Sequence, residues 1–361
     1  VSNRSQYSKL IGILESNHCS TDLAQRKMFA AEAFGTTSHY DTAIFNYFNG
    51  EFPQASFRKS VEGLNVLRYG ENPHQKGVFY GNLNAHFDQL HGKEISYNNL
   101  LDIDAAVNLI KEFSDATVAI LKHNNACGVA TRNDIKSAWV DALAGDPVSA
   151  YGGVIITNRD IDAATAEEMN KIFFEVLIAP AYTDEALTIL KSKKNRIILV
   201  IKDFQLPQHI HRTLLNGVLV QERDLHRESP EELKVVTASA PTQQQVDDLL
   251  FANIIVKHSK SNAIVFAKNK QLIASGVGQT SRVDAVKQAI DKAHNFNFDL
   301  KGAVMASDAF FPFPDSVEVA SKAGVNAVIQ PGGSVRDQET IDFCNNNGIA
   351  MVITGVRHFK H

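Results

Sequence analysis

The chain has 361 residues, 44% of them hydrophobic and 21% charged, and a formal net charge of -4 at pH 7. That length allows two domains or one large one, and the slight acidity argues against a general affinity for nucleic acid or anionic membrane. No apolar run approaches the ~18 residues of a membrane span. Cys19, Cys127 and Cys344 are too few and too scattered for a disulfide framework or a Cys-x-x-Cys zinc site. A cytoplasmic location without zinc is therefore expected. The amino terminus has neither Met nor an apolar signal core, so the chain is expected to be a fragment.

Residues 1–50 read as helical. Ser20 or Thr21 can cap a helix through Gln25–Phe34 that Gly35 ends, and a second helix covers Tyr40–Phe48. From about residue 64 strands and helices alternate. Leu64–Tyr69, Thr117–Leu121, Gly153–Thr157 and Ile197–Ile201 are expected strands, and Ile103–Phe113, Ala163–Phe174 and Asp184–Lys191 expected helices. The polar stretch Gln221–Gln244, with Pro230 and Pro241, reads as a connector. After it come a helix over Gln245–Val256 and a hairpin at Asn269-Lys270 that joins Ala263–Lys268 to Gln271–Gly276. Ser281 and Asp284 form a capping box that opens a helix to Ala293. Ala303–Ala306, Ala327–Ile329 and Ile349–Ile353 are further strands, with helices starting near Asp315 and Ser334. The pattern is α/β and repeats strand, polar loop, helix in both halves, with no local sequence repeat between them.

Six segments concentrate chemistry. Lys122 and His123, in Leu-Lys-His-Asn-Asn-Ala-Cys-Gly (121–128), follow a buried strand into a polar loop, where ligands bind in open α/β sheets. A neutral imidazole beside an ammonium makes a base and oxyanion-stabilising couple; a solvated basic pair is the plainer alternative. Arg68 and Tyr69 open Arg-Tyr-Gly-Glu-Asn-Pro-His-Gln (68–75), with a fork for phosphate or carboxylate beside a ring. The paired glycines of 146–153 permit close backbone approach or a simple turn. Gly-Val-Gly-Gln-Thr-Ser-Arg (276–282) lacks the third glycine of a dinucleotide fingerprint, yet puts Arg282 in a first helical turn suited to an anion. Ser-Asp-Ala-Phe-Phe-Pro-Phe-Pro-Asp (307–315) is too apolar for an exposed loop, so it is a plug or the wall of a cleft for a flat ring; Asp315 with Glu318 suits an N-cap. Gln-Pro-Gly-Gly-Ser-Val-Arg-Asp (330–337) can form an anion nest. Arg357 lies four residues from the end, where pattern does not say whether the tail docks.

The motifs at 68–75, 122–128, 276–282 and 307–313, with the closing Arg-His-Phe-Lys-His (357–361), resemble in this order the formyltransferase part of the AICAR formyltransferase/IMP cyclohydrolase family. The resemblance runs from about residue 20 to the end, and departs from the family where Ala126 replaces its usual Pro. It implies two tandem cytidine-deaminase-like three-layer αβα domains, 51–230 and 231–361, preceded by a helical remnant of the cyclohydrolase domain and its linker, 1–50, with no complete cyclohydrolase site. It also implies transfer of formyl from 10-formyltetrahydrofolate to the 5-amino group of AICAR, with His123 as base and Lys122 stabilising the oxyanion or assisting departure of the folate nitrogen.

By the same resemblance AICAR meets Arg68, Tyr69, the backbone of Gly152, Glu175, Asn262, Phe310 and Arg357, with Asn262 supplied by the mate of a homodimer that shares its active sites. The folate meets Arg282, Val283, Pro312, Asp315, Ser334 and Val335, with Arg282 on glutamate carboxylates or on the pterin carbonyl. A structural potassium ion would lie beside Asp308. The competing expectations are a non-catalytic phosphoribosyl-nucleotide-binding module and a deaminase or other hydrolase on a similar scaffold.

Overall fold

The computed structural model describes all 361 residues. Contacts divide the chain into two compact units: Val1–Val66 with Phe79–Asn82 and His211–Gln221, and the remainder.

The first unit is led by helices α1, Tyr7–Ser16, and α2, Leu23–Glu51. The cap of α2 is Asp22, reciprocated by Gln25, rather than Ser20 or Thr21. Gly35 does not end it, and the two helices expected here are one. A mid-helix glycine costs only about 1 kcal/mol against Ala, too little to break so long a run. Short ladders pair β1, Leu64–Val66, with β2, Val78–Tyr80, so the strand expected to reach Tyr69 stops three residues earlier.

The second unit is built on one sheet. Its first half comprises β3, Phe87–His91; α3, Tyr97–Ile110; β4, Thr117–Lys122; β5, Asn125–Thr131; α4, Ile135–Gly145; α5, Pro147–Ala150; β6, Val154–Thr157; α6, Ala163–Met169; β7, Val176–Ala179; α7, Asp184–Leu190; and β8, Ile197–Ile201. Next in the chain comes a separate hairpin of β9, His209–Leu214, and β10, Gly217–Glu222, most of which belongs to the first unit. The second half comprises β11, Lys234–Val235; α8, Gln243–Lys257; β12, Ile264–Lys268; β13, Gln271–Gly276; α9, Arg282–Asn295; β14, Val304–Ser307; α10, Asp315–Lys322; β15, Ala327–Gln330; α11, Asp337–Asn346; and β16, Ala350–Ile353. The expected connector thus holds the end of one strand and the short strand β11, which pairs with β16.

The strand order is β11-β16-β15-β14-β12-β13-β5-β4-β6-β7-β8-β3. Outward from the antiparallel β5–β13 junction both halves run hairpin, parallel strands, then an antiparallel edge strand. The halves are therefore one topology used twice, and the sheet is continuous across residue 230.

Alternation along the strands makes three layers. In β4, Ala119 and Leu121 face a core shared with α3 and α8, while Val118 and Ile120 face one packed by Trp139 of α4 and Met169 of α6. In β12, Val265 joins the shared core, and Ile264 and Phe266 face a third with α9, α10 and α11. Strands covered on both faces read as unbroken apolar runs. Two glycines let the helices close in. A Cβ on Gly128 would lie 2.1 Å from Ala142 O, and one on Gly276 1.9 Å from Ala285 O.

Candidate active site

Lys122 and His123 are not followed by a loop. Lys122 pairs with Asn125 across a two-residue turn, His123-Asn124, whose φ values are 51° and 64°. Both turn residues are left-handed, the geometry that joins twisted antiparallel strands tightly. A second strand, β5, therefore starts where polar residues suggested a loop. Positive φ is uncommon outside glycine, but Asn and His are among the residues enriched there, and partners outside the turn hold it. Asp102 on α3 accepts the Asn124 N–H at 2.7 Å. Asn125 Nδ2 donates to His123 O at 2.9 Å, and its Oδ1 accepts the Lys260 N–H at 2.9 Å. Burial raises the pKa of Asp102, against the pull of the Asn124 N–H and the nearby His123 and Lys122. The turn leaves His123 exposed at its tip.

Lys122 Nζ donates to Tyr151 O at 2.7 Å, tying the hairpin to the 146–153 turn. There Asp146 caps α5 and holds Lys292 Nζ at 2.6 Å. Gly152 has φ 74° and gives its N–H to Phe173 O at 2.9 Å, so its carbonyl is the group left for a ligand. The Glu175 N–H bonds Gly153 O at 3.0 Å, and its carboxylate meets Lys93 Nζ at 2.5 Å. Arg68 is exposed and stacks on the Tyr69 ring at 5.6 Å. Their turn reaches α3 through Asn98 Nδ2 and Glu71 O, 3.2 Å apart. A cleft of about 210 Å³ beside the hairpin is lined by Lys122, His123, Cys127, Ser149, Gln288 and Lys292. Burial pushes the Cys127 thiol up to about 12, so it is no nucleophile at neutral pH.

Seven of the other expected ligands line a separate cavity of about 430 Å³: Asn262, Arg282, Val283, Phe310, Pro312, Asp315 and Arg357. The 307–315 loop is thus a cavity wall as well as packing: Phe311 is buried, while Phe310 and Phe313 are partly open. Arg282 is buried, and its guanidinium bonds Ser307 Oγ at 2.9 Å, Asn262 Oδ1 at 2.8 Å and the Asp308 carboxylate. Its fork is committed within the fold, which leaves little of it for a folate carboxylate. Ser281 caps α9 by accepting the Asp284 N–H, one half of the expected capping box.

Asp315 is the first residue of α10 rather than its N-cap, which is Pro314, and its carboxylate bonds the Ser316 N–H at 2.7 Å. The anion nest expected at 330–337 is filled from within. Asp337 Oδ2 accepts the N–H groups of Gly333 at 2.6 Å and Ser334 at 3.1 Å, and α11 starts at Asp337 rather than at Ser334. Ser334 and Val335 stand outside the cavity lining, with Val335 fully exposed.

Four residues with a part in these sites went unread in the sequence: Asp102 behind the turn, Lys292 and Gln288 in the first cleft, and Phe359 in the second cavity. A signal for Asp102 exists. From Asp102 to Asp248, His123 to Asn269 and Asn124 to Lys270 the step is 146 each time. Asp248 accepts the N–H groups of Asn269 and Lys270 at 2.9 and 2.6 Å, as Asp102 accepts that of Asn124.

A family model described as the AICARFT/IMPCHase bienzyme matches residues 1–292. The bifunctional purine biosynthesis protein PurH of Bacteroides thetaiotaomicron is 65% identical over 362 residues, which cover 100% of this chain and 71% of that protein. The PurH of Acetivibrio thermocellus is 48% identical over 98% of this chain and 71% of its own. That of Ruminiclostridium cellulolyticum is 46% identical over 97% and 70%.

Proposed function

The chain belongs to the AICARFT/IMPCHase bienzyme family, and on that premise we propose that it transfers formyl from 10-formyltetrahydrofolate to the 5-amino group of AICAR, giving FAICAR. The observation that carries this is the His123 turn. An imidazole stands exposed at the tip of a hairpin, next to an ammonium and over a cleft, with a buttressed backbone behind it.

The AICAR amine is conjugated with its ring and is a poor nucleophile. As it attacks the formyl carbon, His123 takes its proton, and the carbonyl oxygen becomes an oxyanion. Lys122 uses one of its three donors on Tyr151 O, which leaves two for that oxyanion. Collapse breaks the bond from carbon to the folate N10, which takes a proton from the imidazolium as tetrahydrofolate leaves. Each of the two side chains is assigned about 10²–10⁴-fold. A formyl amide is electrophilic enough, once oriented, that positioning supplies most of the remainder.

Arg68, Tyr69, Gly152 and Glu175 are assigned to AICAR from the His123 side, and Asn262, Phe310 and Arg357 from the larger cavity. Because the larger cavity is distinct from the His123 cleft, we extend the mate's contribution from Asn262 to its cavity neighbours. A homodimer would bring the cavity of one protomer to the hairpin of its partner. Partly exposed Phe310, Phe313 and Phe359 at the cavity rim suit such a face. For the folate, Val283, Pro312 and Asp315 keep their assignments. Arg282 is reassigned to orienting Asn262, and Ser334 and Val335 keep only a peripheral part. The doubled α-β-β-α-β-α-β-α-β order suits the expected cytidine-deaminase-like halves. A potassium ion fits Asp308 in one respect: its Oδ2 is buried without a hydrogen-bond partner and could supply one oxygen ligand. No group of three or more His, Cys, Asp or Glu is arranged around a metal, so the other ligands would be carbonyl oxygens or water.

The test is a spectroscopic assay of tetrahydrofolate formation from AICAR and 10-formyltetrahydrofolate, with and without potassium. Turnover that requires AICAR is expected. Calorimetric binding of AICAR with no formyl transfer would instead make the chain a nucleotide-binding module.

A further inference from the structure

The larger cavity takes its one arginine with an exposed side chain, Arg357, from a chain end, and chain ends ordinarily fray. This end is tied down. His358 is buried, with Nδ1 2.6 Å from Asp224 Oδ2 and Nε2 2.8 Å from Glu228 Oε1. A ring whose two nitrogens both face carboxylates satisfies both only when each carries a proton. Burial works against that charge, but the hydrogen-bonded carboxylates of Asp224 and Glu228 outweigh it and push the imidazole up to about 9. Glu228 also accepts from Asn253 Nδ2 at 2.9 Å, and Lys257 stands 3.9 Å from Asp224 while bonding Glu112 at 2.8 Å.

The backbone is zipped to the same half of the sheet. The His358 N–H donates to Asp308 O at 3.0 Å, the Lys360 N–H to Ser261 Oγ at 3.0 Å, and the Ser261 N–H to Lys360 O at 2.9 Å. Arg357 and Phe359 lie together on the opposite side from His358. The guanidinium stacks on the Phe359 ring at 4.5 Å, and both line the cavity. This alternation is that of an extended chain, in which successive side chains point opposite ways. Fixing the middle side chain inward fixes its two neighbours outward.

We propose that His358, clamped between Asp224 and Glu228, is a positioning residue of the nucleotide site: it anchors the carboxyl-terminal strap so that Arg357 faces the cavity and takes the 5′-phosphate. This rests on the assignment of Arg357 to AICAR made above, and adds the residue through which that side chain is held.

A double-mutant cycle on the full chain tests it, with Arg357→Ala, His358→Gln and the pair. The probes are AICAR and its phosphate-free nucleoside. His358→Gln is expected to raise the KM for AICAR about 10-fold, the scale of one charge-assisted hydrogen bond, and to leave kcat unchanged. It should add nothing once Arg357 is Ala, and should not change calorimetric affinity for the nucleoside. Effects that multiply in the pair, an equal loss for the nucleoside, or a normal KM in His358→Gln beside a raised one in Arg357→Ala would each overturn the proposal alone. A normal KM in Arg357→Ala removes the phosphate assignment and the proposal with it. Should His358→Gln fail to fold, Asp224→Asn loosens the clamp from its half-exposed side, and about a 3-fold rise in KM for AICAR only is expected.

Discussion

The His123-Asn124 and Asn269-Lys270 hairpins share a backbone and part company in their side chains. Each has two left-handed turn residues, each is buttressed by an aspartate 21 positions before the turn, and each follows a lysine that reaches a carbonyl. Lys122 Nζ donates to Tyr151 O and Lys268 Nζ to Lys301 O, both at 2.7 Å, and both acceptors lie three positions before the next strand. What recurs is therefore structural: the turn, its carboxylate and the lysine that ties it to the next strand. What differs is the imidazole. The first half keeps His123 where the second carries Asn269, and the second half supplies the larger cavity and the docked strap instead.

The sharpest way to break this comparison is His123→Asn, which gives the first hairpin the residue of the second. Asn and His are both enriched at positive φ, so unfolding by urea should be unchanged within about 0.5 kcal/mol. kcat should still fall about 10²–10⁴-fold. A variant with near-normal turnover would remove His123 from the chemistry. Asp248→Ala comes next. It leaves two turn N–H groups without their acceptor, and a loss of about 2–5 kcal/mol in urea unfolding is expected, with kcat of the folded fraction retained. Asp102→Ala removes a single such bond, so about 1–3 kcal/mol is expected, this time with loss of kcat because the freed turn carries His123. Equal kinetic effects of the two would show that the halves are not chemically distinct.

Lys268→Met should cost about 1 kcal/mol of stability or less and no activity. Lys122→Met should lower stability as little but kcat about 10²-fold. The smallest effect concerns pH. The His358 imidazole titrates at about 9 in the folded chain against about 6.5 unfolded. Its contribution is therefore complete below about 6.5 and is lost as pH rises through about 9. The carboxylates of Asp224 and Glu228 are depressed, so theirs is lost as pH falls through the acid range. The KM for AICAR should be flat between about pH 6 and 8 and rise above 9, and this rise should be absent in His358→Gln.

Local chemistry made much of this legible in the sequence. Runs such as Ile197–Ile201 and Ala327–Ile329 read as buried strands and are strands, and Asn269-Lys270 between two apolar runs marked a hairpin. The same signal was present at His123-Asn124, but small and polar residues at Asn125–Gly128 looked like loop. They form a strand because β5 lies between β4 and β13 with helices packed on both of its faces. The duplication was hidden because topology constrains only a few residues, here Asp102 with Asp248 and Lys122 with Lys268.

The sequence by itself determined the α/β class and which loops hold polar and aromatic groups, since these follow from composition and periodicity, and its short motifs carried the resemblance to the family. Tertiary structure alone decided which of those groups are available. Arg282 is engaged by Asn262, Ser307 and Asp308, Asp337 occupies the glycine-rich nest, and Asp224 and Glu228 hold the chain end. Whether a charge meets a ligand or its own fold depends on partners distant in the chain, and no local pattern records them.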